Sequence, residues 1–161
     1  MKIALITDQH LDGRKGNLAF WNYFQRFYDE IFFPTLEKRG VKTIIDLGDT
    51  FDNRKSMDYN TFNRVDTNYF QRLKQYNVHM ILGNHCTYYK NTNKINSPEL
   101  LLEKYPNIKI YSEPKEILMG KKVFLMMPWI NSGNKEECLR LIANSEADIM
   151  CGHLECDGFE V

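Results

Sequence analysis

Four short apolar segments of this chain each run into polar residues suited to metal binding. The segments are continuously apolar rather than alternating, which predicts strands covered on both faces, as in layered α/β folds. In open α/β sheets the carboxyl ends of parallel strands face one crevice, so we expect the polar side chains to converge there. The four transitions are Ile6-Thr7-Asp8-Gln9-His10, Leu47-Gly48-Asp49, Leu82-Gly83-Asn84-His85 and Cys151-Gly152-His153.

The sequence between these segments predicts helices, and after residue 111 the spacing of the apolar residues changes. Apolar residues at helical spacing indicate amphipathic helices, and the two apolar segments around Gly120 indicate an antiparallel hairpin that begins a second sheet. Predicted strands span 2–7, 41–47, 78–82, 108–111, 115–119, 121–127 and 147–151, and predicted helices span 17–39, 58–76, 98–104 and 135–144.

Composition limits the classes of partner. The chain has 161 residues, enough for one domain with a sizeable core. Its 21 lysines and arginines balance its 21 aspartates and glutamates, so no overall positive field attracts it to nucleic acid or anionic lipid. Any site for a polyanion must therefore be local.

Membrane and secretory interpretations are not favoured. The longest apolar run, 123–130, is short and contains Pro128, and Asp8 interrupts the N-terminal apolar segment. We therefore expect no contact with a membrane. Reduced thiols and a cytoplasmic location are also expected, because no Cys-x-x-Cys pair occurs among Cys86, Cys138, Cys151 and Cys156.

The polar residues at the strand ends together form a donor set for divalent metal ions. Carboxylate, amide and imidazole groups suit Mn²⁺, Fe or Zn²⁺ and do not form a thiolate site. Taken singly, each has an ordinary structural explanation: Asp8 and His10 as loop residues, Asp49 and Asn84 as turn residues, and His153 as a surface polar residue. Their joint recurrence favours the metal centre.

A centre with two ions needs a carboxylate between them, because the negative charge offsets their mutual repulsion. Asp49 is the natural bridge. Two such ions lower the pKa of a shared water and hold the non-bridging oxygens of a phosphate, so hydroxide attacks phosphorus in line with the leaving group. The predicted reaction is phosphoester hydrolysis.

Four motifs resemble, in order and spacing, those of the calcineurin-like metallophosphoesterases. That family implies a four-layer αββα sandwich. Within it, further segments are similar to the SbcD-type DNA repair nucleases and their phage counterparts, namely 49–55, 88–91, Pro128-Trp129 and 152–155 followed by Gly158-Phe159. The four family motifs are Asp8-x-His10, Gly48-Asp49-x-x-Asp52, Gly83-Asn84-His85 and Gly152-His153.

The resemblance implies a metal ligand at each matching strand end. Asp8 and His10 would bind the first ion, and Asp49 would bridge the two ions. Asn84 and His153 would bind the second ion. The resemblance favours Mn²⁺ for the two divalent ions, with Fe or Zn²⁺ as the alternatives.

Two further residues take catalytic roles by the same resemblance. His85 would stabilise the transition state or protonate the leaving oxygen. Asp52 would orient His85 or support the ligands from behind, although such a residue also serves as a loop or helix cap.

The resemblance also implies substrate and partners. The substrate would be DNA, cleaved by a nuclease subunit that works with an SMC-like ATPase in phage recombination or DNA repair, in the host cytoplasm if the gene is phage-encoded. One alternative is a hydrolase of small phosphoesters or phosphoproteins with the same centre. Another is a truncated, catalytically silent chain.

Two departures from the family pattern stand out. Cys86 follows Gly-Asn-His where the family usually has an acidic residue, so the thiol either alters the neighbouring site or merely packs. The family also ends its metal site with a Gly-His-x-His motif, and no histidine follows His153. We therefore expect 1–161 to be the N-terminal portion of a metallophosphoesterase domain, without its last strands.

Aromatic stripes mark the two long predicted helices. Core packing against a sheet is the favoured explanation, and a subunit interface, hence a homodimer, is the alternative. The stripes comprise Trp21, Tyr28 and Phe32 in the first helix and Tyr59, Phe62, Tyr69, Leu73 and Tyr76 in the second.

Basic residues follow the first three strands. They would line the rim of the metal crevice, where a phosphodiester backbone must lie, or they are solvated loop charges. These residues are Arg14, Lys15, Arg54, Lys55, Lys90 and Lys94.

Overall fold

The computed structural model describes residues 1–155. Cys156 and the Gly158-Phe159 pair quoted above lie outside these residues. The strands are β1 (Ile3–Ile6), β2 (Thr43–Asp46), β3 (Asn77–Ile81), β4 (Ile108–Tyr111), β5 (Lys115–Met119), β6 (Lys122–Met127) and β7 (Ile149–Gly152). The helices are α1 (18–39), α2 (59–73), α3 (Ser97–Leu102) and α4 (Lys135–Asn144).

The strands form two sheets. In the first, β1, β2, β3 and β4 lie side by side in chain order and are all parallel. In the second, β5 and β6 form the predicted antiparallel hairpin around Gly120, whose φ of 66° favours glycine, and β7 pairs parallel to β6. The change of pattern after β4 therefore does mark a second sheet.

Three apolar clusters separate four layers. Ile44 of β2 packs in the cluster beneath α1 and α2, whereas its neighbour Ile45 points into the cluster between the sheets. Met126 and Met127 of β6 alternate in the same way, because successive strand residues face opposite sides of a sheet. The third cluster joins Met127 to Cys138 of α4. The layer order is helices, sheet, sheet, helix, which confirms the αββα sandwich.

Each long helix contains one wider π-helical turn. These turns are Phe27–Phe32 in α1 and Asp66–Phe70 in α2. They face each other through Tyr28 and Tyr69, whose ring centroids are 4.6 Å apart. Both rings are buried, so the π turns lie at the contact between the two helices and above the first sheet.

Most of the aromatic stripe residues pack in the core. Trp21, Tyr28, Tyr69 and Tyr76 are buried, as core packing requires. Tyr59 is 93% exposed, so the prediction of core packing was wrong for this residue, which is the first of α2. The homodimer stays a prediction.

Two strands expected to be covered on both faces are partly open. Leu5 of β1 is 60% exposed, and Ile149 and Met150 of β7 are 42% and 44% exposed. Within the described residues β1 and β7 are edge strands, so each has a hydrogen-bonded neighbour on one side. Among residues 1–155, no helix is both long and apolar enough to cross a bilayer.

Replacing Phe70 tests the packing of α2 on the first sheet. Phe70 is fully buried, with its ring centroid within 6.0 Å of those of Phe51, Tyr69 and Tyr105. Phe70→Ala is expected to lower the free energy of unfolding by about 3–5 kcal/mol, measured by urea denaturation. Tyr59→Ala, on the same helix, should change it by about 0.5 kcal/mol or less. Equal losses would contradict the assignment of the buried face.

Candidate metal centre

The segments that follow β1 and β2 are joined by backbone hydrogen bonds. The amide groups of Asp8 and His10 donate to the carbonyl oxygens of Gly48 and Asp49, at 3.0 Å each. The pairing of the two strands thus continues beyond the sheet, as expected for parallel neighbours. It brings the polar residues of both segments to one edge of the first sheet.

The carboxylate of Asp49 lies between two histidines. Its Oδ1 accepts a 2.8 Å hydrogen bond from the amide of His85, which fixes the orientation of the group. Its Oδ2 lies 3.9 Å from Nε2 of His10 and 3.5 Å from Nε2 of His153. Burial alone would raise the pKa of Asp49, but the hydrogen bonds and charges of His153 and His85 together lower it. Asp49 is therefore an anion that faces both histidines.

His153 reaches this edge from the second sheet. Its Nδ1 lies 3.0 Å from the carbonyl oxygen of Leu47, which only accepts, so Nδ1 carries the hydrogen. Its Nε2 lies 3.1 Å from Oδ1 of Asn84 and 3.5 Å from Oδ2 of Asp49. A neutral Nε2 and a carboxylate oxygen both present lone pairs, so this arrangement calls for a proton or a metal cation between them.

His10, Asp52 and His85 form the other half of the patch. Oδ1 of Asp52 lies 3.2 Å from Nδ1 of His10 and 3.7 Å from Nδ1 of His85. His85 donates from Nδ1 to the backbone carbonyl of Asp52 at 2.8 Å, and the two imidazole rings meet edge to face at 5.0 Å. The Nδ1 atom of His10 is buried and lacks a hydrogen bond of acceptable geometry.

Six of the seven residues predicted for the site form two groups in this single patch, and the seventh, Asn84, lies 3.1 Å from His153. Within each group, one potential ligand atom per residue lies within 4.8 Å of the others. Oδ1 of Asp8 is also 4.0 Å from Nε2 of His10, which links the groups. The carboxylate and imidazole donors, and the unsatisfied nitrogen of His10, fit divalent cations. The groups are Asp8, Asp49 and His153, and His10, Asp52 and His85.

Backbone conformation also sets three of these residues apart. Asp8, His10 and Asp49 have φ angles of 51°, 44° and 52°, in the left-handed region that side chains other than glycine rarely adopt. Such conformations cost about 1–3 kcal/mol each and tend to occur at functional sites. The chain therefore accepts strain where its predicted ligands lie.

A buried carboxylate that sequence reasoning missed lies beneath the patch. Asp46, the last residue of β2, accepts hydrogen bonds from Nε2 of Gln9 and Oγ1 of Thr50, both at 2.8 Å, and from the amide of Gly48. Gln9 in turn accepts a hydrogen bond from the hydroxyl of Tyr28. A charged residue inside an apolar strand was the available signal.

This network connects the two segments that carry the predicted ligands. Gln9 lies between Asp8 and His10, and Thr50 follows Asp49 directly. A second missed carboxylate, Asp12, accepts from the amides of Asp52 and Asn53, at 2.6 and 3.2 Å. Asp46 and Asp12 thus fix the backbone segments that carry the site residues, while their own side chains lie outside the patch.

Cys86 packs rather than replacing the acidic residue of the family. Its side chain is fully buried, and burial raises the pKa of the thiol to about 12. The group is therefore a neutral part of the core. Arg54 lies in the loop after β2 but is not the solvated charge of the second interpretation, because its guanidinium donates to Thr87 and lies 5.4 Å from the ring centroid of Trp129.

Comparison with known families agrees with this geometry. The profile of the calcineurin-like phosphoesterases matches residues 1–157. The chain belongs to the calcineurin-like phosphoesterase family. Members of this family bind divalent metals, in agreement with the donor set of the patch, and residues 1–157 carry the metallophosphoesterase domain.

Two known proteins are similar to this chain. Exonuclease subunit 1 of Enterobacteria phage T4 is 35% identical over an alignment of 161 positions that covers 99% of this chain and 47% of the phage protein. The chain thus spans about half the length of that relative. The crystal structure of the nuclease MPE from Pseudomonas putida superimposes with a TM-score of 0.51 at 22% identity, over 77% of this chain and 52% of that one. The latter likeness concerns the fold.

A substitution at Gly83 tests how the chain positions Asp49. A Cβ atom on Gly83 would lie 2.1 Å from Oδ1 and 2.4 Å from the amide nitrogen of Asp49, so the backbone would have to move. Gly83→Ala is expected to weaken Mn²⁺ binding by about 10- to 100-fold in a calorimetric titration.

Gly40→Ala is the matched control for Gly83→Ala. Gly40 has a φ of 64° and open space around its Cβ position, so alanine there should cost about 1 kcal/mol of stability and leave Mn²⁺ affinity unchanged. Unchanged Mn²⁺ affinity in Gly83→Ala would show that the carboxylate does not need this close contact.

Asp46 predicts a pH dependence of stability. Burial raises its pKa from 3.8 to about 7, although hydrogen bonds from Thr50, Gly48 and Gln9 oppose the rise. The folded state therefore holds this proton more tightly than the unfolded state, and its contribution to stability is lost as pH rises from about 4 to 7. In EDTA, as pH rises from 5 to 8, the free energy of unfolding of the wild type should fall by a few kcal/mol relative to that of Asp46→Asn, measured by urea denaturation. Parallel pH curves would refute the raised pKa.

Proposed function

We propose that this chain hydrolyses DNA phosphodiester bonds at a centre that holds two divalent metal ions. The observation that carries the proposal is the position of Oδ2 of Asp49, 3.9 Å from Nε2 of His10 and 3.5 Å from Nε2 of His153. One carboxylate oxygen thus faces two separate sets of ligands. A shared carboxylate of this kind is what a pair of cations requires.

The proposal takes the ligands of each ion from the resemblance to the family, and the distances of His10 Nε2 from Oδ1 of Asp8 (4.0 Å) and Oδ2 of Asp49 (3.9 Å) support the first set. Asp8, His10 and Asp49 hold the first ion, and Asp49, Asn84 and His153 hold the second. The hydrogen bond from His153 Nδ1 to Leu47 leaves Nε2 free to bind a metal. The donor set suits Mn²⁺, Fe or Zn²⁺, because it combines oxygen and imidazole donors without thiolate, and the resemblance to the family favours Mn²⁺. When bound, the ions supply Lewis acidity to a phosphate oxygen and lower the pKa of water.

His85 acts on the leaving group in this proposal. Its Nδ1 donates to the carbonyl of Asp52, so the ring is oriented with Nε2 pointing away from that loop. Oδ1 of Asp52 lies 3.7 Å from Nδ1, and Nε2, on the opposite edge of the ring, is the atom that would donate a proton to the leaving oxygen. Asp52 is the positioning residue, because its carboxylate lies beside both His10 and His85.

The substrate and partners come from the resemblance to the phage nuclease. The phage T4 relative is an exonuclease subunit by name, which supports DNA as the substrate and a partner chain. The SMC-like ATPase, the homodimer and the cytoplasmic location belong to the same proposal. So does the interpretation of 1–161 as the N-terminal portion of a phosphoesterase domain that a later Gly-His-x-His motif completes.

A nuclease assay tests the proposal. With Mn²⁺ the purified chain is expected to degrade linear DNA, and EDTA is expected to stop the reaction. Asp49→Asn should reduce degradation to background because the charge shared by both ions is lost. His85→Gln should slow it by about 10²–10⁴-fold while Mn²⁺ binding is retained.

Asp29→Asn is the matched control, because Asp29 lies in the helix layer and pairs with Arg72. It should retain wild-type activity. Degradation that survives in Asp49→Asn would overturn the proposal. Hydrolysis of p-nitrophenyl phosphate in preference to DNA would favour a small phosphoester as substrate, and absence of Mn²⁺-dependent hydrolysis on both would favour the silent chain.

A further inference from the structure

A pocket opens between the segments that follow β2 and β3. Its volume is about 190 Å³. Its apolar surface comes from Met57, Ile95 and Leu100, one wall is the ring of Tyr88, and the edge carries Lys55. Ile95 is 46% exposed and Leu100 is 71% exposed, so the apolar surface faces solvent.

The walls of the pocket are held in place by hydrogen bonds. The amide of Tyr88 donates to the carbonyl oxygen of Ile95 at 2.9 Å, and Thr87 and Asn96 form an isolated antiparallel bridge. Arg54 ties the other segment to this one through 3.0 and 3.2 Å hydrogen bonds to Thr87. The pocket is therefore formed before any ligand arrives, which lowers the entropic cost of binding.

The chemistry of the pocket suits a flat aromatic group attached to an anion. The Tyr88 ring is 38% exposed, and Nζ of Lys55 lies 5.7 Å from its centroid. Tyr89, half exposed, packs edge to face against Tyr88 at 4.7 Å. Exposed aromatic rings bordered by lysines are typical of surfaces on which nucleobases stack, while the cations contact the phosphates.

The pocket also lies at the right distance from the candidate metal centre. Tyr88 is three residues after His85, and Lys55 is three residues after Asp52. Three steps of 3.8 Å limit each Cα separation to about 11 Å. Neighbouring nucleotides of one strand can therefore occupy the metal centre and the pocket at the same time.

We propose that this pocket binds the nucleobase of an unpaired nucleotide next to the scissile phosphate, with the base stacked on Tyr88 and Lys55 beside its phosphate. The inference rests on the proposed function, because it names the DNA feature that the same site selects. A base within a duplex is already stacked, so the pocket makes single-stranded or frayed ends the preferred substrate.

Single-stranded oligonucleotides test the pocket. Tyr88→Ala is expected to weaken binding and Mn²⁺-dependent cleavage by roughly tenfold or more, because base–aromatic stacking is lost. Tyr88→Phe, which keeps the ring, should restore both. Tyr59→Ala, which removes the 93% exposed tyrosine at the start of α2, should behave as the wild type.

An oligonucleotide with abasic sites next to the cleaved bond separates stacking from a structural effect. The wild type should cleave the abasic strand as slowly as Tyr88→Ala cleaves the normal strand. Tyr88→Ala itself should cleave both strands at the same rate. Equal abasic losses in wild type and variant would overturn the inference, as would unchanged cleavage by Tyr88→Ala.

The nuclease proposal and the pocket proposal can be refuted independently of each other. If the wild type cleaves no DNA with Mn²⁺, the nuclease proposal is refuted, and fluorescence anisotropy with a labelled oligonucleotide in EDTA still decides the pocket. Tighter binding to the wild type than to Tyr88→Ala supports it. Equal binding, or no binding by either, refutes it.

Discussion

The hydrogen bond from the His85 amide to Oδ1 of Asp49 is the contact on which the rest of the site depends. It joins the segments after β2 and β3 and turns Oδ2 toward His10 and His153. Gly83 makes the contact possible, because no side chain fits between its backbone and the carboxylate. An anion held in this way orients two imidazoles from opposite sheets before any metal is bound.

The layers of the fold explain how ligands so far apart in sequence meet. The first three strands are parallel neighbours, so their carboxyl ends lie side by side. His153 comes from β7, and it arrives at the same edge because the two sheets pack face to face through residues such as Ile45, Met126 and Cys151. Beneath this edge, Asp46 and Gln9 hold together the first two ligand segments. The stability of the site therefore depends on a buried polar network as much as on the apolar core.

The sequence predicted that these residues converge, but it did not predict the groups that hold them in place. Each predicted ligand follows an apolar strand, so a local pattern and the rule for parallel sheets were enough to bring Asp8, Asp49 and His153 together. The network of Asp46, Gln9 and Tyr28 depends on side chains from three elements that meet only in the folded chain, and no periodicity reports such a meeting.

The same limit explains the errors. Helical spacing cannot tell which turns of a helix cover the sheet, so Tyr59 was placed in the core although it lies in solvent. An apolar strand looks the same at the centre and at the edge of a sheet, so the exposure of Leu5 went unseen. The sequence placed Arg54 in a loop correctly but left its role open, because its hydrogen bonds to Thr87 depend on the neighbouring segment.

A stepwise titration of Mn²⁺ into the metal-free chain tests the central claim, that Asp49 is shared between two ions. We expect two binding steps, both of which weaken in Asp49→Asn, whereas Asn84→Ala weakens only one. A single step in the wild type, or the loss of just one step in Asp49→Asn, would contradict it.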